Sequence, residues 1–354
     1  MPQTIIAEDD DGIRLDRWFQ RHQPDVSFNI VSRWARTGAV RLDGAKAEPG
    51  TRITAGQSLL WPDALPVMPA AIARPAVRER EPLSPEQIEY MQGLVIHRDA
   101  HAVVINKPAG LATQGGTGLN TSVDALLDAL QFDAPGRPKL VHRLDKDTSG
   151  VLLLARNAKA AAWFSKAFAR RDAHKTYWAL TIGVPKLASG EIAAPLAKQP
   201  GSGGEKMQVD TENGLAARTR YRVIERAAGR AAWVAFHPLT GRTHQIRVHA
   251  AAIGHALVGD GKYGGKDAFL TGGISRKLHL HSRRLEIATP DGGMLDISAP
   301  LPSHMAESWD MLGFDLALGD IEPVAPPPPK PKLRRLSQST SGNRRGERRA
   351  RGSR

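Results

Sequence analysis

Two carboxylates stand close together in a polar segment that leads into an apolar run. The segment His142–Gly150 reads His-Arg-Leu-Asp-Lys-Asp-Thr-Ser-Gly, and Val151–Ala155 follows it with the pattern of a buried strand. Catalytic groups are often mounted on polar loops that a rigid strand supports. A carboxylate held there could attack as a nucleophile or assist a proton transfer. A structural ion-pair network between the arginine and the two aspartates would explain the same residues, so the segment alone leaves both interpretations open.

Five further motifs lie before and after this segment. They are Asn106–Gly110, Lys175–Tyr177, Gly241–His249, Gly259–Gly264 and Leu278–His281. Together with the His-Arg-Leu-Asp and Thr-Ser-Gly pieces, they resemble in order the signatures of the RluA-type pseudouridine synthases, over roughly residues 90–300. Within that family the chain is most similar to the RluC and RluD subgroup, and the glycines around residues 115–118 favour RluC.

The resemblance implies an enzyme that isomerises uridine to pseudouridine in RNA. The bond between C1′ and N1 breaks, the uracil rotates, and a new bond forms through C5, so nothing is oxidised, phosphorylated or hydrolysed. Such a reaction needs no cofactor, nucleotide or metal ion, but it needs a carboxylate beside the sugar carbon, as glycosidases also do. The match to the family assigns this role to Asp145, the role of basic partner to Arg247 and that of active-site tyrosine to Tyr177.

The family's arginines suggest how the site is assembled on RNA. We expect Arg247 to form an ion pair that keeps Asp145 charged and oriented. The target uridine must leave its stack, at a cost of about a few kcal/mol. By its match, Arg143 would occupy the vacated space, although a simple ion pair with Asp145 or Asp147 is the alternative. Further contacts to RNA or to the base are expected from Lys107, Arg242 and His142. For Lys107 and Arg242 we expect support of the site or backbone contacts rather than direct chemistry, and for His142 a hydrogen-bonding scaffold rather than acid–base catalysis.

Residues 1–61 predict a small module of two helices and a hairpin. The helices are expected around Leu15–Arg21 and Phe28–Arg36, and the Asp43-Gly44 pair predicts the hairpin turn. This pattern resembles the S4 RNA-binding domain, which would place RNA contacts at three basic residues, Arg14, Arg33 and Arg36. A small α/β adaptor with scattered surface arginines is the alternative.

Composition divides the rest of the chain into three segments. Residues 62–88 hold six prolines and no periodicity, which predicts a semi-rigid linker. Residues 89–316 carry strand-like runs and two amphipathic helices, one from Thr121 to Leu130 and one at Ala158–Arg170 with Trp163 on its apolar stripe. Because the strands mostly follow one another, we predict an α+β domain with a mixed, largely antiparallel sheet. Residues 317–354 predict a disordered, proline-rich basic tail that holds most of the net charge of +13.

Other classes of protein and site are disfavoured. The absence of cysteine excludes disulfide frameworks and thiolate metal sites. The string Gly259-x-Gly261-x-x-Gly264 matches a dinucleotide-binding pattern, but no long helix follows it and no βαβ unit surrounds it. His279 and His281 would share one face of a strand, yet no carboxylates accompany them, so we predict core histidines rather than metal ligands. No secretory signal or bilayer-length apolar run is present, and a cytoplasmic monomer is expected.

The predicted substrate is large-subunit (23S) ribosomal RNA, because an S4-like module suits docking on structured RNA. Three other functions stay open: a non-catalytic ribosome-assembly factor on the same fold, a synthase acting on transfer RNA, and a glycosidase-like hydrolase. The presence of Asp145, Tyr177 and Arg247 together argues against the assembly factor. The RNA-binding type of module and the basic tail argue against the hydrolase.

Overall fold

The computed structural model describes residues 2–62, 82–115, 121–199 and 206–320, which divide into two compact units. The second unit begins at Leu83, inside the predicted linker. Its first helix starts at Pro85 because the Ser84 side chain caps it: Ser84 Oγ accepts from the Gln87 N–H at 3.3 Å, and the Gln87 side chain accepts from the Ser84 N–H at 2.9 Å. The linker end predicted at residue 88 is therefore wrong. The rest of the predicted linker, the glycines at 116 and 118, and the tail from residue 321 lie outside the described residues.

The first unit combines an antiparallel sheet with two helices. Its sheet has the strand order β1-β4-β2-β3. The elements are, in chain order, β1 (Gln3–Ile5), α1 (Leu15–His22), α2 (Phe28–Thr37), β2 (Arg41–Leu42), β3 (Ala45–Lys46) and β4 (Ser58–Leu60).

Local sequence signals explain the helices and the turn of this unit. Both helices bury apolar residues at i, i+3 and i+4, namely Leu15, Trp18 and Phe19 on α1 and Val31, Trp34 and Ala35 on α2. Gly38 ends α2 in the left-handed region, as a C-terminal glycine does. Asp43 and Gly44 both have positive φ, at 48° and 78°, which is the hairpin turn that their sequence predicts. The two predicted helices are confirmed within one residue at each end.

The second unit contains a large sheet, a two-stranded ribbon and five α-helices among its described residues. The helices are α3 (Pro85–Gly93), α4 (Ala158–Arg170), α5 (Gln245–Ala252), α6 (Gly261–Gly264) and α7 (Ser303–Leu312). The strands are β5 (Val95–Arg98), β6 (Ala102–Lys107), β7 (Lys139–Leu140), β8 (Ser149–Ala155), β9 (His174–Ile182), β10 (Ser189–Ala193), β11 (Leu196–Lys198), β12 (Met207–Val209), β13 (Arg218–Ala227), β14 (Ala231–Pro238), β15 (Leu280–Ala288) and β16 (Met294–Ser298).

The large sheet is mixed and largely antiparallel, as predicted. Its main path runs β10-β13-β14-β9-β15-β8-β6-β5, with β16 paired to β15 and β7 paired to β8. The pairing of β8 with β15 is parallel, whereas the other described pairs are antiparallel. Strands β11 and β12 form the separate ribbon. The α+β class predicted for this region is thus confirmed.

Strand β8 is buried on both faces, which explains its continuous apolar sequence. Val151 and Leu153 pack with Phe164 of α4 on one face. On the other face, alternate residues of β8 pack with the 3₁₀ helix Asp124–Leu130. Each buried leucine contributes about 1.5–3 kcal/mol through removal of its side chain from water. The segment that precedes β8 is consequently mounted on one of the most constrained parts of the unit.

Three local predictions are wrong. The helix expected from Thr121 is a 3₁₀ helix that starts at Asp124 after Val123, and the nearby side-chain hydrogen bond is that of Ser122, whose Oγ accepts from the Ala125 N–H at 3.2 Å. Trp163 does not lie on the buried stripe of α4, which Ala160, Phe164 and Ala167 form: its side chain is 44% exposed, and its Nε1–H donates to the Ala288 carbonyl at 2.9 Å. A final 3₁₀ helix, Leu316–Asp320, extends the unit past its predicted end at residue 316.

Gly150 allows the closest approach between the backbones of β8 and β15. Its φ is +109°, and a Cβ atom at this position would lie 2.2 Å from the Ser282 carbonyl oxygen. Any side chain here would force the parallel pair of strands apart, since main-chain atoms on a paired strand have little room to move. The glycine that closes the Thr-Ser-Gly piece is therefore required by packing.

We expect Gly150→Ala to lower the free energy of unfolding by about 3 kcal/mol or more, because left-handed strain and a backbone clash add together. Gly229→Ala is the matched control, since Gly229 has φ +73° but open space around its Cα. That control should lose only about 1–2 kcal/mol. Urea unfolding of both variants measures the difference, and equal losses would contradict the packing argument.

Candidate active site

A cavity of about 430 Å³ opens beside the start of β8. Its volume lies within the range of about 300–1,000 Å³ that small-molecule sites occupy. The walls come from residues 141–148, the C-terminal part of α4, strand β9 and the loop that leads into α5. Six of the residues singled out from the sequence line it: His142, Arg143, Asp145, Tyr177, Arg242 and Arg247.

The segment that carries Asp145, here called the Asp145 loop (residues 142–148), is fixed on both sides of the carboxylate. Thr113 Oγ1 donates to the Leu144 carbonyl at 2.7 Å and accepts from the Leu144 N–H at 3.1 Å. The Gly110 N–H donates to the Lys146 carbonyl at 2.9 Å. The chain after the Asn106–Gly110 motif therefore holds the residues immediately before and after Asp145.

Lys107 completes this attachment from inside the protein. Its side chain is fully buried, and Nζ donates to the carbonyl oxygens of Pro108, Leu111 and Lys146 at 2.8–3.0 Å. Burial lowers the pKa of Lys107 to about 8, while the charges of Asp147 and Asp145 act in the opposite direction. All three ammonium hydrogens have carbonyl partners. The prediction that Lys107 contacts RNA is wrong, because its ammonium group is enclosed and joins two loops.

Tyr177 lies in the middle of the sheet, next to the cavity. On β9 it pairs with Phe236 of β14 and with Ser282 of β15. Burial raises the pKa of Tyr177 to about 12, with the charge of Asp145 acting in the same direction and a hydrogen bond with Ser282 opposing it. The phenol is consequently neutral at physiological pH.

Arg247 is held by Asp260 rather than by Asp145. Its Nε and Nη2 each donate to one Asp260 carboxylate oxygen at 2.8 Å, and both side chains are buried. Its guanidinium also lies 5.1 Å from the ring centre of Tyr263. Burial opposes the charge, but hydrogen bonding to Asp260 and the charges of Asp260 and Asp145 outweigh it and raise the pKa of Arg247. The predicted ion pair between Arg247 and Asp145 is therefore not observed, and the two side chains interact only by longer-range electrostatic attraction.

Asp260 is the functional-site residue that the sequence reasoning passed over. It stands inside the glycine string that resembles a dinucleotide-binding pattern, where Gly259 has φ +80° and a Cβ would lie 2.0 Å from the Lys277 carbonyl. Its carboxylate also accepts from the Tyr263 N–H at 3.3 Å and so begins the short helix α6. The sequence feature that could have identified Asp260 is an aspartate between two glycines just before a helical turn. The glycines allow the close backbone packing that places this carboxylate beside Arg247.

The loop before α5 is held by the side chain of Gln245, whose amide oxygen and NH₂ group form two hydrogen bonds each. The Gln245 side-chain oxygen accepts from Thr240 Oγ1 at 2.7 Å and from the Arg242 N–H at 3.0 Å, and its NH₂ group donates to Arg218 O and Thr219 Oγ1 at 2.9 Å. The Arg242 side chain lines the cavity and donates through Nε to the Ala216 carbonyl at 3.2 Å. Arg242 is therefore directed by the fold, as a side chain at the cavity wall.

His244 joins this loop to Tyr263. The Met207 N–H donates to Tyr263 Oη at 3.0 Å, and the hydroxyl lies 2.7 Å from His244 Nδ1, to which it can donate. Burial lowers the pKa of His244, while the negative charge of Asp145 opposes that shift. A neutral ring that accepts at Nδ1 carries its proton on Nε2.

His142 lines the cavity as a neutral scaffold group. Its Nε2 accepts from the Leu153 N–H at 2.9 Å, and its ring stacks on Phe168 at 4.4 Å. Burial, followed by the charge of Lys175, lowers the pKa of His142 to about 3. The scaffold role predicted for His142 agrees with these contacts, and its Nε2 is not available to RNA because the Leu153 N–H of β8 already occupies that nitrogen.

Arg143 differs from these fixed side chains. It is exposed at the cavity, and it forms no hydrogen bond or ion pair with any residue that the structure describes. The alternative in which Arg143 pairs with Asp145 or Asp147 is therefore not observed. A guanidinium is left available at the cavity mouth.

The comparisons with known proteins agree with this geometry. A family model described as RNA pseudouridylate synthase matches residues 101–252. Ribosomal large subunit pseudouridine synthase C of Rickettsia conorii is 34% identical over 276 residues, which cover 77% of this chain and 88% of that protein. The chain belongs to the RNA pseudouridylate synthase family.

Other relatives extend the similarity over most of the synthase. The protein of Salmonella typhi with the same name is 34% identical and covers 87% of this chain and 96% of its own length. The solved structure of human RNA pseudouridylate synthase domain containing 4 aligns with a TM-score of 0.56 at 28% identity, over 65% of this chain and 98% of that one. The predicted RluA-type, RluC-like membership is confirmed, and the chain is an RNA pseudouridine synthase. The assembly-factor and hydrolase interpretations are not favoured.

The histidine pair of the synthase lies in the core. His279 Nε2 and His281 Nδ1 lie 2.8 and 2.9 Å from the hydroxyls of Ser308 and Ser149, and burial lowers the pKa of each histidine to about 4. No group of three or more possible metal-binding side chains occurs within the described ranges. None of the helices in the described residues is long and apolar enough to cross a membrane.

The basic residues singled out in the first unit have different surroundings. Arg14 is bound by Asp16, with Nε–Oδ1 and Nη2–Oδ2 distances of 3.0 and 2.9 Å. Arg33 and Arg36 are exposed on α2, one turn apart, where side chains three residues apart are neighbours. Two of the three predicted contact residues are thus free of the ion pair that occupies Arg14.

We expect Asp260→Asn to lower the free energy of unfolding by about 3–5 kcal/mol, because it leaves the buried charge of Arg247 without its carboxylate. The matched control is Asp296→Asn, which breaks an exposed bidentate pair with Arg284. Exposed pairs contribute about 0–1 kcal/mol, so this variant should resemble wild type in urea unfolding. Losses of the same size in both variants would show that Asp260 does not hold a buried charge.

We expect Tyr177→Phe to leave the shape of the pH profile of kcat/KM unchanged between about pH 6 and pH 10. The reason is the pKa of about 12: between pH 6 and pH 10 the phenol stays protonated, so its ionisation produces no inflection in the profile. The measurement is the initial rate of pseudouridine formation across pH. An inflection that occurs in wild type and disappears in the variant would contradict the neutral phenol.

Proposed function

We propose that this synthase isomerises uridines in large-subunit (23S) ribosomal RNA. The observation that carries the chemistry is that Asp145 is the one carboxylate among the described residues that line the cavity, whose walls also carry five lysine or arginine side chains. The substrate class is supported by the relatives from Rickettsia conorii and Salmonella typhi, which are named for the large ribosomal subunit and align over most of their length. The enzyme would then act in the cytoplasm of a bacterial cell, where the large ribosomal subunit is assembled.

In the proposed reaction Asp145 provides negative charge to C1′ as the bond to N1 breaks. Its loop is fixed on both sides, so the carboxylate meets the sugar with little reorganisation. The detached uracil rotates, C5 bonds to C1′ and then loses its proton, and N1, which no longer carries the sugar, takes up a proton. Atoms balance because the product is an isomer of the substrate.

Two other side chains contribute to the reaction, Tyr177 by contact with the uracil and Arg247 by its effect on Asp145. The Tyr177 ring provides a flat neutral surface beside Asp145, suited to stacking on the base while it turns. Arg247 stays fixed on Asp260 and attracts Asp145 without direct contact, so the carboxylate keeps its oxygens available for the sugar.

Arg143 is proposed to stabilise the RNA from which the uridine is flipped. It is exposed, unpaired among the described residues and two positions before Asp145. A planar guanidinium can stack on neighbouring bases and donate hydrogen bonds at the same time. The strain of extruding a base, about a few kcal/mol, would be offset in this way.

The first unit is proposed to be an S4-like RNA-binding domain. Two helices beside a hairpin sheet, with Arg33 and Arg36 exposed on the second helix, offer adjacent positive charges to an RNA backbone. Such a unit would contribute salt-dependent affinity, whereas the cavity selects the uridine.

The test is tritium release from unmodified large-subunit ribosomal RNA labelled at C5 of uridine. Wild type should release tritium, and Asp145→Asn should release it at least about a thousandfold more slowly, since the lost stabilisation exceeds about 4 kcal/mol. Asp147→Asn is the matched control, because Asp147 is an exposed aspartate of the same loop that does not line the cavity. Equal losses in both variants would remove Asp145 from its proposed role.

Transfer RNA labelled in the same way serves as the second substrate. Release from transfer RNA alone would assign the enzyme to that RNA class and would overturn the ribosomal proposal.

A further inference from the structure

Two cations at the α4 end of the cavity have no anionic partner in the described part of the chain. Lys175 lies on β9, two residues before Tyr177 and therefore on the same face of the strand. Arg171 follows α4 directly, in the left-handed region with φ 69°. Both side chains line the cavity, and neither forms an ion pair or a side-chain hydrogen bond with a described residue.

Lys175 occupies this position at an energetic cost. Burial lowers its pKa, and the charge of Arg171 adds to that shift. An ammonium group that is removed from water without an anion is unfavourable, as are two like charges placed side by side. Lys175 is half-buried and Arg171 is exposed, and a cation with a perturbed pKa that lines a cavity is a typical feature of a binding site.

The charges of the cavity are divided between two ends. At one end Asp145 interacts electrostatically with Tyr177, His244 and Arg247. At the other end Lys175 interacts with Arg171 and with the neutral ring of His142. The charge of Asp145 is not among the influences on the pKa of Lys175, so the positive charge at the second end is not balanced by the carboxylate of the cavity.

We propose that Lys175 and Arg171 form a subsite for an RNA backbone phosphate adjacent to the uridine that lies at Asp145. The Cα atoms of Lys175 and Tyr177 are about 6.6 Å apart along the strand, a spacing comparable with that between the base and a phosphate of one nucleotide. A lysine supplies a point charge for phosphate, and an arginine supplies two parallel donors. The inference rests on RNA as the substrate, and it names the group that holds the flipped nucleotide in register.

A purely structural role for these cations makes a different prediction. Positive charges near the C-terminus of a helix stabilise it through the helix dipole, by about 0.3–1 kcal/mol. Removal of Lys175 would then destabilise the protein and leave RNA binding unaffected. A phosphate subsite predicts the reverse, because removal of a desolvated, repelled charge relieves the free protein.

The first experiment compares Lys175→Met, which keeps the length of the side chain, with Lys166→Met. Lys166 is an exposed lysine of α4 that does not line the cavity. We expect Lys175→Met to leave Tm unchanged or higher and to raise KM about tenfold or more, as loss of a charged hydrogen bond does, while kcat at saturating RNA stays near wild type. Lys175→Arg should restore most of the affinity, and Lys166→Met should match wild type. A lower Tm with an unchanged KM would overturn the proposal.

The second experiment removes the charge from the RNA instead. A short RNA that wild type converts is synthesised with a methylphosphonate at the phosphate on the 5′ side or on the 3′ side of the target uridine. One of the two substitutions should weaken binding to wild type about tenfold and have no further effect on Lys175→Met or Arg171→Ala, because the contact is already lost. Additive losses at both positions would overturn the subsite. Failure of wild type to convert the unsubstituted RNA would instead count against the proposed function.

Discussion

The hydrogen bonds of one buried ammonium group hold the active site together. Lys107 joins the loop that follows β6 to the Lys146 carbonyl, one residue beyond Asp145. Burial penalises this charge, but three carbonyl dipoles and two nearby aspartates keep it in place. Since the same loop also ties Leu144 through Thr113, the position of Asp145 depends on residues more than thirty positions earlier in the chain. The orientation of the carboxylate is thus a property of tertiary structure rather than of its own loop.

The charges around Asp145 are arranged so that it is attracted without being bound. The guanidinium of Arg247 binds the Asp260 carboxylate, and the Tyr263 hydroxyl bonds to His244. These groups therefore form their hydrogen bonds with one another rather than with Asp145. Within the described residues no cation pairs directly with Asp145, which leaves its lone pairs for the reacting sugar. The same arrangement explains why Tyr177, next to an aspartate and out of water, is a poor acid and is suited to holding the base.

The sequence was sufficient where the signal was local. Helices α1, α2 and α4 follow from apolar periodicity and from their ends, and β8 follows from a continuous apolar run that only a strand covered on both faces requires. The family motifs also located Asp145, Tyr177 and Arg247 at one cavity. The sequence could not show that Lys107 is buried, because lysine is rarely enclosed, nor that Asp260 rather than Asp145 holds Arg247, because that choice depends on how α5 and α6 pack. It misplaced Trp163 because neighbouring aromatic residues do not show which side of α4 faces the core: Phe164 is buried, whereas Trp163 is 44% exposed.

The close approach at Gly150 has a consequence for induced fit. With no Cβ between them, β8 and β15 lie backbone to backbone two residues after the Asp145 loop, which leaves this part of the framework little room to move. We therefore expect conformational adjustment on RNA binding to fall mainly on the RNA and on exposed side chains such as Arg143.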